Sequence, residues 1–597
     1  MLGKRRRPLA EVTQELVAAA TGRIPADTVI RGGRVVNVFT GEILPWDIAI
    51  KGERICSVGD VSHTIGPSTE VIDASGYYLC PGFLDGHVHV ESSMVSITQF
   101  ARAVLPLGTT GIFMDPHEIA NVLGIDGVRL MLEEGLQLPL KVMATMPSCV
   151  PAAPGFEDAG AAFGPEEIAA AMQWPGICGL GEMMNFPGVL AGAPEVHGEL
   201  RATLEAGKPI TGHYSMPGDF QGIAAYAAAG IRSDHEAILK EDALNRMRLG
   251  IYAKMREGSA WHDVAATVKS LTETGIDSRR AILVSDDVHP ETILTTGHLN
   301  HVVRRAISEG LSPIRAIQAV TINTAECFRV DHELGAIAPG RFADILFLKD
   351  LARVKVDKVM VDGKIIAAGG KLLIDLPDFA YPDFARNSVH LREPLKPEHF
   401  RIAAPAGKSS VKVRAMGVIE ASVLTRHLTV EVPVVDGRLE ASPAHDLAKA
   451  AVIERHGRNG GIGLGFVKGF GFQGGAVAST VAHDSHNLLI VGMNDEDMAL
   501  AGNALAECGG GMVAVRDGKV LALLPLPIAG LMSDRPVEEV AGQVEKLRRA
   551  WEALGCHLVS PFMTMALLSL PVLPELRLTN RGLVDTVEFK FVDLIAS

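Results

Sequence analysis

The sequence predicts an α/β protein: a (β/α)8 barrel of the TIM type, a small β-sandwich built from segments flanking the barrel, and an extra C-terminal α+β domain. Three observations carry this. Between residues 81 and 334, short apolar runs alternate with helical patterns and end repeatedly in His, Asp or Glu. On both sides of that stretch, apolar and polar residues alternate between glycine-marked turns. Beyond a proline-rich segment, residues 401–597 are rich in Gly, Val and Ala, with strand-like runs and few aromatics.

Taken in order, residues 1–25 read as a helical extension. Lys4-Arg5-Arg6-Arg7 is the solvated start of a helix rather than a nucleic-acid arm, because Leu9, Val12 and Leu16 share one helical face. From Thr28 to Val58, TVIRGGRVVNVFTG and WDIAIKGERICSVG read as short strands joined at Gly32-Gly33 and Gly41. The texture returns at Ala343–Leu348 and Val354–Ala368, so residues 26–80 and 335–375 are expected to pair as one sandwich.

Residues 81–334 offer eight strands: Phe83-Leu84 running into His87, Thr110–Asp115, Lys141–Met146, Ile177–Glu182, Pro209–His213, Ile231–His235, Leu249–Lys254 and Ala281–Asp286. That number, over about 250 residues, suits a (β/α)8 barrel. Residues 376–400, with Pro377, Pro382, Pro394 and Pro397, read as a linker to the last domain. In that domain Gly465–Gly475 lacks the GK[ST] ending of a phosphate loop and is expected to be a packed glycine-rich turn. Val520–Met532, broken by Pro525 and Pro527, reads as a core strand with a turn.

Hydrophobic residues make up 47% of the chain and charged ones 21%, enough apolar material for large cores. A formal net charge of −14 repels nucleic-acid backbones and anionic membranes. No apolar run spans a bilayer, no signal-peptide pattern opens the chain, and the seven cysteines form no CxxC pair. The expectation is a soluble cytoplasmic protein in a reducing compartment, with neither nucleic acid nor membrane as partner.

The chemistry begins at His87 and His89. Two residues apart on a strand, they point the same way, and two neutral imidazoles converging on one point suit a divalent metal. An HxH alone also fits a hydrogen-bonded strand end. Four more candidates close other strands: Glu182 in GLGEMMN, His213 in PITGHYS, His235 in IRSDHEA and Asp286 in LVSDD. All six then face one barrel mouth, where such barrels carry their chemistry.

This pattern resembles the amidohydrolase superfamily, with its HxH after strand 1, histidines after strands 5 and 6, and aspartate after strand 8. PGFLDGHVH (Pro81–His89), Thr321–Ala325, Gly335–Ile337 and Pro339–Asp344 add to the likeness. HVHVESSM (His87–Met94), MDPHEIANV (Met114–Val122), GLGEMMNFPGV (Gly179–Val189), REGSA (Arg256–Ala260) and AHDSHN (Ala482–Asn487) are similar to the adenine-deaminase branch. The likeness covers nearly the whole chain beyond its first two dozen residues. Many superfamily members carry a carboxylated lysine after strand 4, where this chain has Glu182.

The resemblance implies two divalent metal ions, manganese or iron favoured and zinc compatible. One would be held by His87, His89 and Asp286, the other by His213 and His235, with Glu182 as bridge. It implies attack of a metal-activated hydroxide on C6 of adenine, releasing ammonia and hypoxanthine in purine salvage, with Asp286 moving the proton. Glu118 and His117 are candidates for a second proton relay or for orienting the purine, and equally for a helix N-terminus. Glu91, beside Ser92 and Ser93, is a candidate catalytic or ring-binding group, with helix capping as the alternative.

Asn185 and Arg256 are candidate substrate contacts, and Asp115, Asp234 and Asp287 are expected to steady the ligands. His483, Asp484 and His486 form an extra candidate site, a metal site or a reach over the barrel mouth, unless they only hold their own turn. A homodimer or larger homo-oligomer is expected. The rivals are hydrolysis of a substituted purine or of a dihydropyrimidine- or hydantoin-type cyclic amide, and a non-catalytic scaffold. Glu182 weighs against the cyclic amides, and the filled ligand positions weigh against a scaffold.

Overall fold

Eight parallel strands form the barrel: β1 (Phe83–His89), β2 (Thr109–Met114), β3 (Lys141–Met146), β4 (Ile177–Met183), β5 (Ile210–Gly212), β6 (Ile231–Asp234), β7 (Tyr252–Arg256) and β8 (Ala281–Val284). They pair in sequence order, and Asp286–Asp287 closes the ring by pairing with Val88 and His89 of β1. The computed structural model describes residues 6–420 and 422–596. Every residue of β1, β2, β7 and β8 is buried, as expected of strands covered on both faces. Inside, Leu84, Phe113, Ile282 and Val284 pack with Phe328, whose ring stacks on Phe113 at 3.8 Å.

Seven barrel strands fall close to their expected positions, whereas β7 begins at Tyr252 instead of Leu249. The helix Lys240–Arg248 reaches its cap at Leu249, and Gly250 turns the chain at φ +83° before the strand can start.

The two flanking segments do share a sandwich. Tyr78–Pro81 pairs antiparallel with Ile345–Leu348 and parallel with Arg34–Asn37, inside a seven-stranded sheet. A four-stranded sheet faces it, and Ile30, Ile48, Ile50, Leu79, Phe347 and Met360 fill the space between. Helix Leu9–Ala20 buries Val12, Leu16 and Ala19 beside this sandwich. Lys4 and Arg5 lie outside the described residues. Arg6 is tied down rather than solvated: its Nε meets Asp362 at 2.8 Å and its Nη2 donates to the Pro139 carbonyl at 2.7 Å.

The proline-rich segment is packed, not a free linker. The Tyr381 hydroxyl donates to Glu134 of the barrel, the Ala385 carbonyl accepts from Ala529 at 2.7 Å, and Leu395 and Phe400 enter the C-terminal core. Beyond it stands a ten-stranded sheet with helices Asp495–Glu507 and Val537–Leu554, plus a separate three-stranded sheet.

Two expectations for this domain need correction. The expected turn Gly465–Gly475 begins late: Gly465 is still in a strand, Ile462–Lys468, and the turn is Gly469–Gly475, where Gly469, Gly471 and Gly475 take positive φ. Within the strand a Cβ on Gly463 would sit 1.9 Å from the Thr579 carbonyl of the crossing hairpin. Lys519–Pro525 is an edge strand, with Val520 and Leu521 each 45% exposed, and not a core one.

Candidate active site and metal centre

The six ligand candidates leave their strands at one end of the barrel and converge. His87 and His89 close β1, Glu182 is near the end of β4, and His213, His235 and Asp286 follow β5, β6 and β8. All except the half-buried His213 are buried. Asp286 Oδ1 lies 3.3 Å from both His87 Nε2 and His89 Nε2. Glu182 Oε2 lies 2.7 Å from His213 Nδ1 and 3.0 Å from His235 Nε2, while its Oε1 lies 3.6 Å from His89 Nε2. One carboxylate thus faces both halves of the cluster.

Electrostatics explain why these groups suit a cation. Burial, with His235 nearby, pulls the His87 imidazole down to about 3, so it stays neutral with a lone pair to give. Its Nε2 is buried and has no hydrogen-bond partner among the described residues. His89 Nδ1 must donate to the Asp115 carbonyl at 3.0 Å, which turns the Nε2 lone pair inward. Burial alone would raise the Glu182 carboxyl, but His235 and His213 hold it well below the usual range. Asp286 is likewise held low against burial by His87, His89 and Arg256. Two ionised, buried carboxylates among four imidazoles form a donor set fitted to divalent cations.

The neighbours fix these groups in place. Asp115 Oδ2 accepts the Glu182 N–H at 2.7 Å, and Asp234 Oδ2 accepts the Tyr214 N–H at 2.6 Å while pairing with Arg246. Asp287 accepts from Ser92 Oγ at 2.5 Å. Arg256 sits on carboxylates: Asp286 Oδ2 at 3.2 Å, Asp263 Oδ2 at 2.7 Å, and Glu236. Asn185 is not in the cavity wall; its side-chain oxygen caps helix Phe186–Ala191 by accepting from Gly188 at 2.9 Å. Glu91 stands behind the wall and accepts the Ile119 N–H at 3.2 Å; burial and then Glu118 push its carboxyl up to about 7.

His117 and Glu118 line the cavity over the ligand cluster, with His117 Nδ1 3.2 Å from Glu182 Oε1. His483 and Asp484 of the C-terminal domain line it too. The rest of the lining includes an apolar set: Met184, Trp261, Val423, Leu567, Leu570 and Leu573. Sequence reasoning missed this set, although three leucines at three-residue spacing were its visible trace. Lys254, two residues before Arg256 on β7, is fully buried below the cavity, with its Nζ 5.2 Å from the Phe328 ring inside the barrel. A larger groove, about 1010 Å³, lies between Gln99 and Arg102 of the barrel and Ser533–Glu539 of the C-terminal domain, and no histidine or cysteine among the described residues lines it.

The amidohydrolase family model matches residues 78–366, the stretch that carries this barrel and its donor set. By class, then, this is an amidohydrolase, a fold built to bind divalent metal. The adenine deaminase C-terminal domain model matches residues 422–590. The chain is 80% identical over 590 residues to an adenine deaminase of Moorella thermoacetica, covering 99% of each chain. It is 56% identical over 589 residues to one from Clostridium botulinum, covering 98% of each, and 51% identical over 600 residues to one from Rubrobacter xylanophilus, covering 99% of each. The chain belongs to the adenine deaminase family.

Proposed function

We propose that the protein hydrolyses adenine to hypoxanthine and ammonia at this barrel mouth. The observation that carries the reading is Glu182, with one oxygen toward His213 and His235 and the other toward His89. On this reading His87, His89 and Asp286 would hold one divalent ion and His213 and His235 a second, with Glu182 within reach of both groups. Bound there, the ions would supply Lewis acidity that lowers the pKa of water to about 7. A nitrogen and oxygen donor set suits manganese or iron and also accommodates zinc.

The chain's own groups supply the rest. The apolar wall of Met184, Trp261 and the three leucines excludes water and offers a flat face to a purine. Asp286, ionised and steadied by Arg256, takes the proton that water gives up and passes it to the departing nitrogen. A C–O bond forms at C6, the C–N bond breaks, and the amine leaves as ammonia. Glu118, whose carboxyl burial pushes up, holds a proton at the ring nitrogen beside C6, with Glu91 behind it and His117 orienting the ring.

The cytoplasmic setting and a homo-oligomer belong to the same proposal. All seven cysteines are free, as in a reducing compartment, and the exposed Val520 and Leu521 mark an apolar sheet edge. Among the described residues no helix is long and apolar enough to cross a membrane. The test is to give the manganese-loaded protein adenine, substituted purines and cyclic amides in parallel. Ammonia from adenine well above the other substrates supports the reading; turnover confined to a cyclic amide overturns it.

A further inference from the structure

The turn Ala482–Asn487 of the C-terminal domain brings three buried side chains, His483, Asp484 and His486, to the barrel mouth. His483 Nδ1 lies 3.4 Å from Glu118 Oε1, and His486 Nε2 lies 4.0 Å from Glu118 Oε2. Asp484 Oδ1 lies 3.6 Å from His117 Nε2.

The backbone of this turn is anchored on several sides. The buried Arg455 donates to the His486 carbonyl and, at 2.9 Å each, to those of Ser388 and Ala529. His456 Nε2 donates to the Ser485 carbonyl at 2.8 Å, and Ser569 Oγ donates to that of His483 at 3.1 Å. A turn held this firmly presents its side chains in one arrangement.

Glu118, His483 and His486 also have the spacing of a third metal site. The tautomer of His486 argues against that. The Ala482 N–H donates to His486 Nδ1 at 3.1 Å, so that lone pair is taken and the neutral ring carries its proton on Nε2. A ring protonated at Nε2 turns an N–H toward Glu118 Oε2, 4.0 Å away and beyond hydrogen-bond length, and is not a ligand. Burial keeps this ring neutral, well below the usual imidazole range.

We propose that His486 and His483 are positioning residues, which fix the Glu118 carboxyl group against the purine so that the reacting site is complete only with the C-terminal domain docked. The proposal rests on the deamination reading. It assigns the second domain a part in the chemical step, through Glu118, and none in holding metal.

The experiment compares full-length, manganese-loaded wild type with His486→Phe, which keeps ring volume without the donor, and His486→Gln, which keeps an N–H near the Nε2 position. Expected is a kcat about 10- to 100-fold lower in the Phe variant, with KM for adenine, metal content and thermal midpoint unchanged, and recovery of most of that loss in the Gln variant. A parallel pair, His483→Leu and His483→Asn, decides the matter should His486→Phe not fold, with the same split expected. Undiminished kcat in the Phe and Leu variants overturns the proposal. So does equal loss in all variants with a lowered midpoint, or loss of a third metal equivalent. Wild type inactive on adenine overturns the deamination reading itself; active wild type with active variants overturns this proposal alone.

Discussion

Asp286 is the side chain on which the proposed chemistry converges, because its two oxygens face different partners: imidazoles on one side and Arg256 on the other. Asp286→Asn keeps the shape and removes the base, so ammonia release from adenine should fall about 10²- to 10⁴-fold. Activity within a few-fold of wild type would remove Asp286 from the proton path. A different buried acid tests electrostatics away from the site. Burial pushes the Glu199 carboxyl, on helix Pro194–Glu205, from 4.5 up to about 8. Between those values the unfolded chain has released a proton that the folded protein keeps, so this residue's contribution to stability is lost as pH rises. Glu199→Gln should therefore gain thermal midpoint over wild type at pH near 8 and lose that advantage near pH 5, as thermal melts will read. A difference independent of pH would contradict the burial argument. Residue identities at the strand ends were legible because β-strand geometry sends His87 and His89 the same way. Asn185 was less so, since nothing in GLGEMMN distinguishes a cap from a substrate contact.

At the level of elements, the barrel strands were legible because every apolar run except Lys141–Met146 ends in an ionisable residue, and β7 was displaced because a helix overran its expected start. The glycine strand Ile462–Lys468 was opaque for another reason. Glycines there accommodate a hairpin more than a hundred residues onward, which no local pattern reports. The turn Ala482–Asn487 depends on the same kind of distant support. Arg455→Leu strips partners from the carbonyls of His486, Ser388 and Ala529, each worth about 1–3 kcal/mol when left buried and unpaired. Calorimetry should show a lowered midpoint, and adenine turnover should fall with it. A stable variant with full activity would show that the turn does not depend on Arg455.

Across the whole molecule, the C-terminal domain is fastened to the barrel at Asp158, in the loop after β3. Its Oδ2 accepts from Asn459 at 3.0 Å, Asn580 at 2.6 Å and Arg581 at 3.0 Å. Arg581, with the two asparagines, holds this carboxyl below the usual carboxylate range. Asp158→Ala should lower the thermal midpoint and reduce kcat on adenine together, because the His483 turn docks with the same domain; full activity beside a lowered midpoint would uncouple docking from catalysis. This partnership is what the sequence could not show, since Glu118 and His483 meet only after two domains fold and join. The central claim is that the reaction needs divalent metal held by the six converging side chains. It is tested most directly by stripping the protein with a chelator, returning manganese in measured steps, and following ammonia release from adenine. The account predicts no activity without metal, a rise to a plateau at two ions per chain, and no recovery in Glu182→Gln. Full activity in the stripped protein, or full recovery in Glu182→Gln, would contradict it.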